Sequence, residues 1–513
     1  MNCSKLFRTA DLPLLDAYTI RHEPVTSLQL MERAATAFVE RLTRLYPRAP
    51  LFTIVAGTGN NGGDGLAAAR LLLERGRAAR VYLVHAGDRL SADCAANRER
   101  FLATGGTCVE VRRPEEFAPA GGDVRVDALF GAGLNRPARG WVAGIIERLG
   151  EGGAPVVALD IPSGLFGEDN RENDGAIARA TRTLTFQFPK LAFMLAENYP
   201  RVGEFEVLDI GLHPAILRDH PSPFHYLTRE AVASALPPRD KFAHKGKLGH
   251  ALLVAGSGRM AGAALLAARG AARSGAGLLT VHVPRSLKNL VHGMIPEALV
   301  SEDASEFHFT GLDAPPARAA LGIGPGLGTA PGTAAGLWRL LERWQGPAVL
   351  DADALNIVAS TPGGMEHLPP GLVLTPHQGE FERLAGKAGN DFDRINKLIN
   401  FAVHHRQHVV LKGAHAAVAT PDGACYFNMT GNPGMAKGGS GDVLTGVITA
   451  LLANGMPPGD AALAGVFAHG LAGDVAAERH GERGMTSGDV ADALGEAWRR
   501  CEDFEYQRSI IKL

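Results

Sequence analysis

Aromatic residues are scarce in this sequence, at 6%, and there are only five cysteines. Cys3, Cys94, Cys108, Cys425 and Cys501 are odd in number, widely scattered and without metal-type spacing. Neither a disulfide framework nor a zinc site is expected, and a reduced cytoplasm is the simplest setting. No apolar run approaches the ~20 residues that a membrane span needs. Met1 to Arg21 carries Asp and Pro but no apolar core segment, so no signal peptide is read. Neither sign of charge dominates. The 52 Lys and Arg against 54 Asp and Glu leave a net charge of −2, which argues against a nucleic-acid binder held by bulk charge. A G-x-x-x-x-G-K-[ST] loop is also missing, which disfavours a P-loop nucleotidase.

What the chain has is glycine, 63 of 513 residues. The length is too great for one core and predicts two or more domains. Strand and helix patterns alternate, which predicts α/β layers around a mostly parallel sheet. In the first half, Thr26-Ser27-Leu28-Gln29 reads as a capping box opening an amphipathic helix. Strands are expected over 51–56, 79–85, 124–130 and 156–161, with helices over 66–75 and 92–104. Five prolines between 214 and 238 break the pattern, so a linker is expected over 221–235, between domains at 1–220 and 236–505. Alternation then resumes, with strands expected at 250–255, 278–283, 317–323, 348–352, 373–375 and 408–412. Helices are expected at 262–274, 443–453 and 460–479, and no internal repeat relates the halves. The tail after Cys501 is charged and reads as peripheral.

The stretch Gly431 to Asp442, Gly-Asn-Pro-Gly-Met-Ala-Lys-Gly-Gly-Ser-Gly-Asp, runs directly into an apolar helical segment. Small residues there let backbone N–H groups crowd round an anion at a helix start, where the dipole favours negative charge. Asp442 stands as a carboxylate in that positive spot. A phosphate cradle beside a base is what phosphoryl transfer to an alcohol requires.

The first half has its own glycine segment, Gly57 to Gly65, between a strand and a helix. Gly57, Gly59 and Gly62 satisfy G-x-G-x-x-G, so one reading is a dinucleotide fingerprint. Two amides, Asn60 and Asn61, and the carboxylate of Asp64 suit a pyrophosphate poorly. A pocket for a cation or for hydroxyls is the other reading. Asn61, Asp127 and Ser163 would offer amide, carboxylate and hydroxyl oxygens at strand ends, a set suited to a hard cation. A cap or turn hydrogen bond remains the alternative for each.

Asn60 to Gly65, Asp127-Ala128-Leu129-Phe130-Gly131 and Asp160-Ile161-Pro162-Ser163-Gly164 together resemble the NAD(P)H-hydrate epimerase family, as does Leu30 to Ala34. The resemblance implies a Rossmann-like three-layer α/β/α domain that interconverts the two C6 epimers of hydrated NADH and NADPH. It also implies a substrate site lined by Asn60, Asn61, Gly62, Gly63, Asp64, Gly131, Ala132, Gly133, Leu134, Asn135, Arg136, Pro137 and Asp160. Potassium would be held by Asn61, Asp127 and Ser163. Asp160 is the candidate for proton handling, since a carboxylate beside a hemiaminal carbon can serve as base and then as acid.

In the second half, Lys245 to Gly249, Ala255 to Gly258, Gly322 to Gly328, Thr375 to Glu380, Lys412 to Ala416 and Gly439 to Asp442 resemble the ADP-dependent NAD(P)H-hydrate dehydratases, within the ribokinase-like superfamily. The resemblance implies that Ala263, Gly326, His377 and Asp442 meet the hydrated cofactor. Lys412, Gly413, Ala414, His415, Ala416, Gly439, Ser440 and Gly441 would meet ADP, a co-substrate, and Asp442 would be catalytic. At Ala416 the chain departs from the family pattern, which carries a threonine hydroxyl there. Mg²⁺ is expected with the nucleotide. Glu380 and Asp353 are candidates to help hold it, or else solvated loop carboxylates. The cluster His404, His405 and His408 reads as a helix-to-strand junction, His469 as packing, and Lys245 and Lys247 as surface lysines or phosphate guides. The expectation is a bifunctional repair enzyme. Its partners would be small molecules rather than nucleic acid or membrane, and a homo-oligomer, up to a tetramer, is expected. The rival is a small-molecule kinase fused to a non-catalytic binding module.

Overall fold

The computed structural model describes residues 1–510 apart from residues 2, 88 and 120. The chain divides into two compact units, one built chiefly from Lys5–Ser222 and the other from Pro223–Gly389 with the chain from Asp393 onward.

Seven parallel strands form the sheet of the first unit. In chain order they are Phe52–Ala56, Ala79–Val84, Thr107–Val111, Val124–Ala128, Val156–Leu159, Arg182–Phe186 and Glu204–Leu208. In space the third, second and first precede the fourth to seventh. Every pairing is parallel. The order therefore reverses beside Phe52–Ala56, the switch point where open α/β sheets bind ligands. Side chains alternate across the sheet. Ile54, Ala56, Val81 and Leu83 join one core cluster, whereas Val55, Tyr82 and Val84 join another. Both faces are thus covered, giving three layers. Helix Ser27–Leu45 opens on the expected box. Thr26 accepts from the Gln29 N–H, and Gln29 accepts from the Thr26 N–H. It buries Leu30, Met31, Ala34, Ala35, Phe38, Val39 and Leu42.

The glycine segment differs from its expected form as a loop. Helix Asn60–Glu74 starts six residues before Leu66, so Asn60 to Gly65 are its first turns. Its glycines serve close packing. A Cβ on Gly62 would overlap the Gly57 carbonyl oxygen, and one on Gly65 would fall 2.7 Å from the Ala128 Cβ.

In the second unit the strands from His250 onward are His250–Val254, Leu278–Val283, Leu299–Glu302, Ala319–Ile323, Ala348–Leu350, Val373–Leu374 and His408–Leu411. They again lie third, second, first, then fourth to seventh, all parallel. Ala417–Ala419 and Cys425–Phe427 extend the sheet antiparallel. Helix Ser440–Ala453 is almost wholly buried. A Cβ on Gly446 would overlap the Ala267 carbonyl oxygen of helix Ala261–Ala272, so glycine lets these two helices touch.

Residues 221–235 are not a free linker. Phe224–Tyr226 pairs in parallel with Cys425–Phe427, and helix Arg229–Ala235 buries Ala231, Val232 and Ala233. The prolines that suggested a linker flank these elements at 221, 223, 237 and 238 rather than interrupt them. The tail is a continuation of helix Ser487–Ile510, with Cys501 buried, and residues 511–513 lie outside the described residues. No helix among the described residues is long and apolar enough to cross a membrane.

Candidate functional sites

In the first unit, residues at the carboxyl ends of four adjacent strands converge. Asp127, fully buried, closes Val124–Ala128. The Ser163 hydroxyl donates to Asp127 Oδ1 at 2.5 Å and the Ser163 N–H to Oδ2 at 2.7 Å. The Phe130 N–H donates to Ser163 Oγ at 2.8 Å, and Asn61 Nδ2 donates to the Phe130 carbonyl at 3.0 Å. Asn61 and Ser163 thus meet at Phe130, and Asp127 joins them through Ser163. Burial pushes Asp127 up to about 6, against the pull of its Ser163 and Leu129 hydrogen bonds. Only neutral donors meet this buried carboxylate, so no charge on the protein compensates it there.

Asp160 follows strand Val156–Leu159 with φ at +69°, a backbone region uncommon for a residue bearing a Cβ. Its Oδ1 accepts from Lys190 Nζ at 2.7 Å, Thr185 Oγ1 at 3.0 Å and the Phe186 N–H at 3.1 Å. Burial holds Asp64 well above the usual carboxylate range, and the charges of Asp160, Asp16 and Asp93 raise it further. Asp16 is exposed, yet the atoms packed about its carboxyl and then the Asp160 charge push it upward, against the pull of Lys190. Gly131 lies against Asn61, with a Cβ placed 3.1 Å from the Asn61 Cβ. Further along the loop, Gly133, Asn135 and Arg136 are exposed. Sequence reasoning missed Lys190 and Asp16. An isolated Lys after Phe-Pro carries no local signal, and its partner lies 30 residues away.

In the second unit, helix Ser440–Ala453 begins at Gly439, whose φ is +95° and whose Cβ would crowd Leu266 and Ser487. Only glycine turns the chain there without strain. Asp442 sits in the first helical turn. Burial pushes it up to about 6, Asp351 and Asp353 add to this, and Lys412 opposes it. Lys412 follows strand His408–Leu411 and donates to Asp351 Oδ1 at 2.7 Å, while Thr445 Oγ1 donates to Asp351 Oδ2 at 2.7 Å. A Cβ on Gly441 would stand 3.2 Å from Lys412 Nζ and 3.8 Å from Asp351 Oδ2. The cradle, its base and the half-buried lysine therefore share one place. Gly326, at φ +65°, brings its Cα close to Ala263, and the Gly328 N–H donates to Asp353 at 2.7 Å. Gly413 to Ala416 form the turn after Lys412, and burial lowers His415.

Two residues differ from expectation. Glu380 is buried rather than solvated. It accepts from the His377 N–H at 2.8 Å in a capping box and lies 3.8 Å from Lys412 Nζ. His469 does more than pack. Its Nε2 lies 3.3 Å from Ser440 Oγ behind the cradle, and burial drives it down to about 4. Asp351 and Thr445, which seat Lys412, went unread because 94 residues separate them. His377 caps helix Gln378–Ala385 and its side chain is 54% exposed. His404 and His405 end a helix and His408 starts a strand. No group of three metal-ligating side chains occurs among the described residues.

Residues 251–496 match the family model described as NAD(P)H-hydrate dehydratase, and residues 27–192 match the YjeF-related protein N-terminus. The chain is 37% identical over 518 residues to the bifunctional NAD(P)H-hydrate repair enzyme Nnr of Moorella thermoacetica, covering 97% of each. It is 37% identical over 527 residues to the enzyme of the same name from Thermofilum pendens, covering 99% of each. The ADP/ATP-dependent NAD(P)H-hydrate dehydratase of Bacillus subtilis, crystallised with ATP and Mg²⁺, is 35% identical. That structure matches 54% of this chain and 98% of its own at a TM-score of 0.49.

Proposed function

The chain belongs to the family of bifunctional NAD(P)H-hydrate repair enzymes, and we propose that the labour divides between its two units. The first, matching the YjeF-related model, interconverts the R and S forms of hydrated NADH and NADPH. The second, matching the dehydratase model, consumes the S form with ADP, giving NAD(P)H, AMP and phosphate. Hydration damage yields both epimers, and joining the activities in one chain delivers both to the dehydrating site.

The arrangement that carries this reading is Asp442 in the first turn of a glycine-opened helix, with Lys412 at its mouth. A hydroxyl on a saturated carbon leaves poorly, and phosphorylation converts it into a good leaving group. Asp442 accepts the hydroxyl proton as that oxygen attacks the β-phosphorus of ADP. The N–H groups of Gly439, Ser440 and Gly441 and the Lys412 ammonium stabilise the charge on the transferring oxygens. The ring nitrogen then pushes its electron pair toward C6, phosphate departs, and loss of the C5 proton restores the dihydropyridine. Ala263, Gly326 and His377 are assigned to the hydrated nicotinamide, and Gly413 to Ala416 to the nucleotide.

Asp353 is the carboxylate we assign to help nucleotide phosphates hold Mg²⁺, because Asp351 is occupied by Lys412 and Thr445 and Glu380 by the His377 N–H. When bound, Mg²⁺ supplies charge neutralisation at the phosphates. Asn61, Asp127 and Ser163 would hold potassium, which fixes the loop that starts at Gly131. The setting is assigned as cytoplasmic and the assembly as a homo-oligomer.

The test is incubation with mixed epimers of hydrated NADH. Without ADP the epimers should exchange and no NADH absorbance return. With ADP, recovery should run to completion. Recovery that stops at the S fraction refutes the epimerase assignment, and recovery without any nucleotide refutes the dehydratase chemistry.

A further inference from the structure

Three donors spend themselves on a single oxygen of Asp160. Lys190 Nζ, Thr185 Oγ1 and the Phe186 N–H all bind Oδ1, and among the described residues none donates to Oδ2. Lys190 is almost completely enclosed, its side chain 2% exposed, and it also donates to Thr185 Oγ1 at 3.1 Å. The ammonium lies 5.3 Å from the centre of the Phe188 ring. Burying an ammonium costs several kcal/mol unless it is paired, so such a lysine is normally held by a specific partner. A surface ion pair would not place its cation, its hydroxyl and a backbone N–H on the same atom. The left-handed backbone of Asp160 strengthens the point, because such strain of about 1–3 kcal/mol persists only where the surroundings over-determine it.

We propose that Lys190 is the positioning residue for epimerisation: with Thr185 and the Phe186 N–H it ties down one oxygen of Asp160 and so aims the other at the hydroxyl-bearing carbon of the substrate. The proposal rests on the epimerase reading of this unit. Asp64, on helix Asn60–Glu74, and Asp16, on helix Leu12–His22, are the other charged groups facing Asp160. Burial and its acidic neighbours push Asp64 toward the protonated form, whereas Lys190 sets a cation directly on Asp160 Oδ1. One carboxyl in a buried, acidic setting beside another paired with a cation is the arrangement of an acid and a base. The step balances without any co-reactant. Asp160 Oδ2 takes the hydroxyl proton, the O–H electrons form a carbonyl at C6, and the C6–N1 bond breaks with its pair going to N1. Asp64 gives its proton to N1. After rotation about C5–C6 the transfers reverse. N1 returns its proton to Asp64 as it attacks the other face of the carbonyl, and the oxygen recovers its proton from Asp160.

Lys190→Met tests this in the full-length enzyme, by following exchange of separated epimers across pH 5 to 9. We expect kcat for exchange to fall at least tenfold at pH 7 and its acidic limb to move to higher pH. KM should stay within about twofold, and ADP-dependent consumption of supplied S epimer should be unchanged. Lys190→Arg should move the limb back toward that of the wild type. An unchanged profile with unchanged kcat overturns the proposal. Should Lys190→Met fail to fold, Thr185→Val removes a donor to the same oxygen and should shift the limb less, in the same direction. No shift there overturns the proposal equally. Absence of exchange in the wild type would instead refute the epimerase reading itself.

Discussion

The two units order their strands alike, and each sets a helix N-terminus at the carboxyl ends of its strands, yet the mouths of those helices carry different chemistry. In the first unit the helix opens with two amides and Asp64, and a second carboxylate, Asp160, stands near with Lys190 locked upon it. In the second the helix opens with Ser440, Gly441 and Asp442, and Lys412 faces the glycine amides. The backbone frame supplies positive potential in both places. The side chains decide whether it is spent on the protein's own carboxyl groups or kept for a phosphate. Where glycines pack helix against strand, as Gly62 and Gly65 do, a G-x-G-x-x-G pattern says little about the ligand. Where they leave amides open beside a half-buried lysine, it says much.

The largest expected effect is at the base. Asp442→Ala should lower dehydration of the S epimer by about 10²–10⁴-fold, measured as recovery of NADH absorbance, and leave epimer exchange unaltered. Loss of both activities together would mean that the two mouths are not independent. Next is the lysine of the second unit. Lys412→Met leaves Asp351, 1% exposed, as an uncompensated buried charge. It should destabilise that unit by about 3 kcal/mol, read by denaturant unfolding. A loss under about 1 kcal/mol would show that Asp351 is not held by this pair.

Much of this frame was legible in the sequence, and the failures have physical causes. The helix at Ser27 was readable because Thr26 and Gln29 form a local box and the apolar face repeats every three to four residues. Strand positions followed from apolar runs that end in glycine. Helix starts inside glycine stretches, at Asn60 and Ser440, were not readable, since glycine disfavours helix and only tertiary packing holds it there. Asp127, Ser163 and Asp160 stood out because each closes or follows a strand, and Asp442 because it ends a glycine-rich stretch that runs into a helix. Lys190 and Asp351 did not, because their roles come from partners far away in the chain and from burial, which no local pattern encodes.

Smaller effects test the same contrast. Asp442, raised to about 6 chiefly by burial, must be ionised to act as a base. Dehydration should therefore be flat above about pH 7 and fall about tenfold per unit below 6. A rate independent of pH down to 5 would remove Asp442 from the base role. Ala416→Thr restores a hydroxyl in the turn after Lys412 and should tighten ADP by about fivefold, a gain of about 1 kcal/mol. Titration calorimetry would show it, and unchanged affinity would mean that the turn does not reach the nucleotide.

Complementation between two single-site variants addresses the division of labour itself. Asp160→Asn and Asp442→Ala are each given the R epimer with ADP, separately and then mixed. Alone, Asp442→Ala should exchange epimers without restoring any NADH, and Asp160→Asn should proceed no faster than uncatalysed exchange. The mixture should restore NADH completely, because the S epimer made by one variant diffuses to the other. No recovery in the mixture, or full recovery by Asp442→Ala alone, would contradict two separate sites with Asp442 as the dehydrating base.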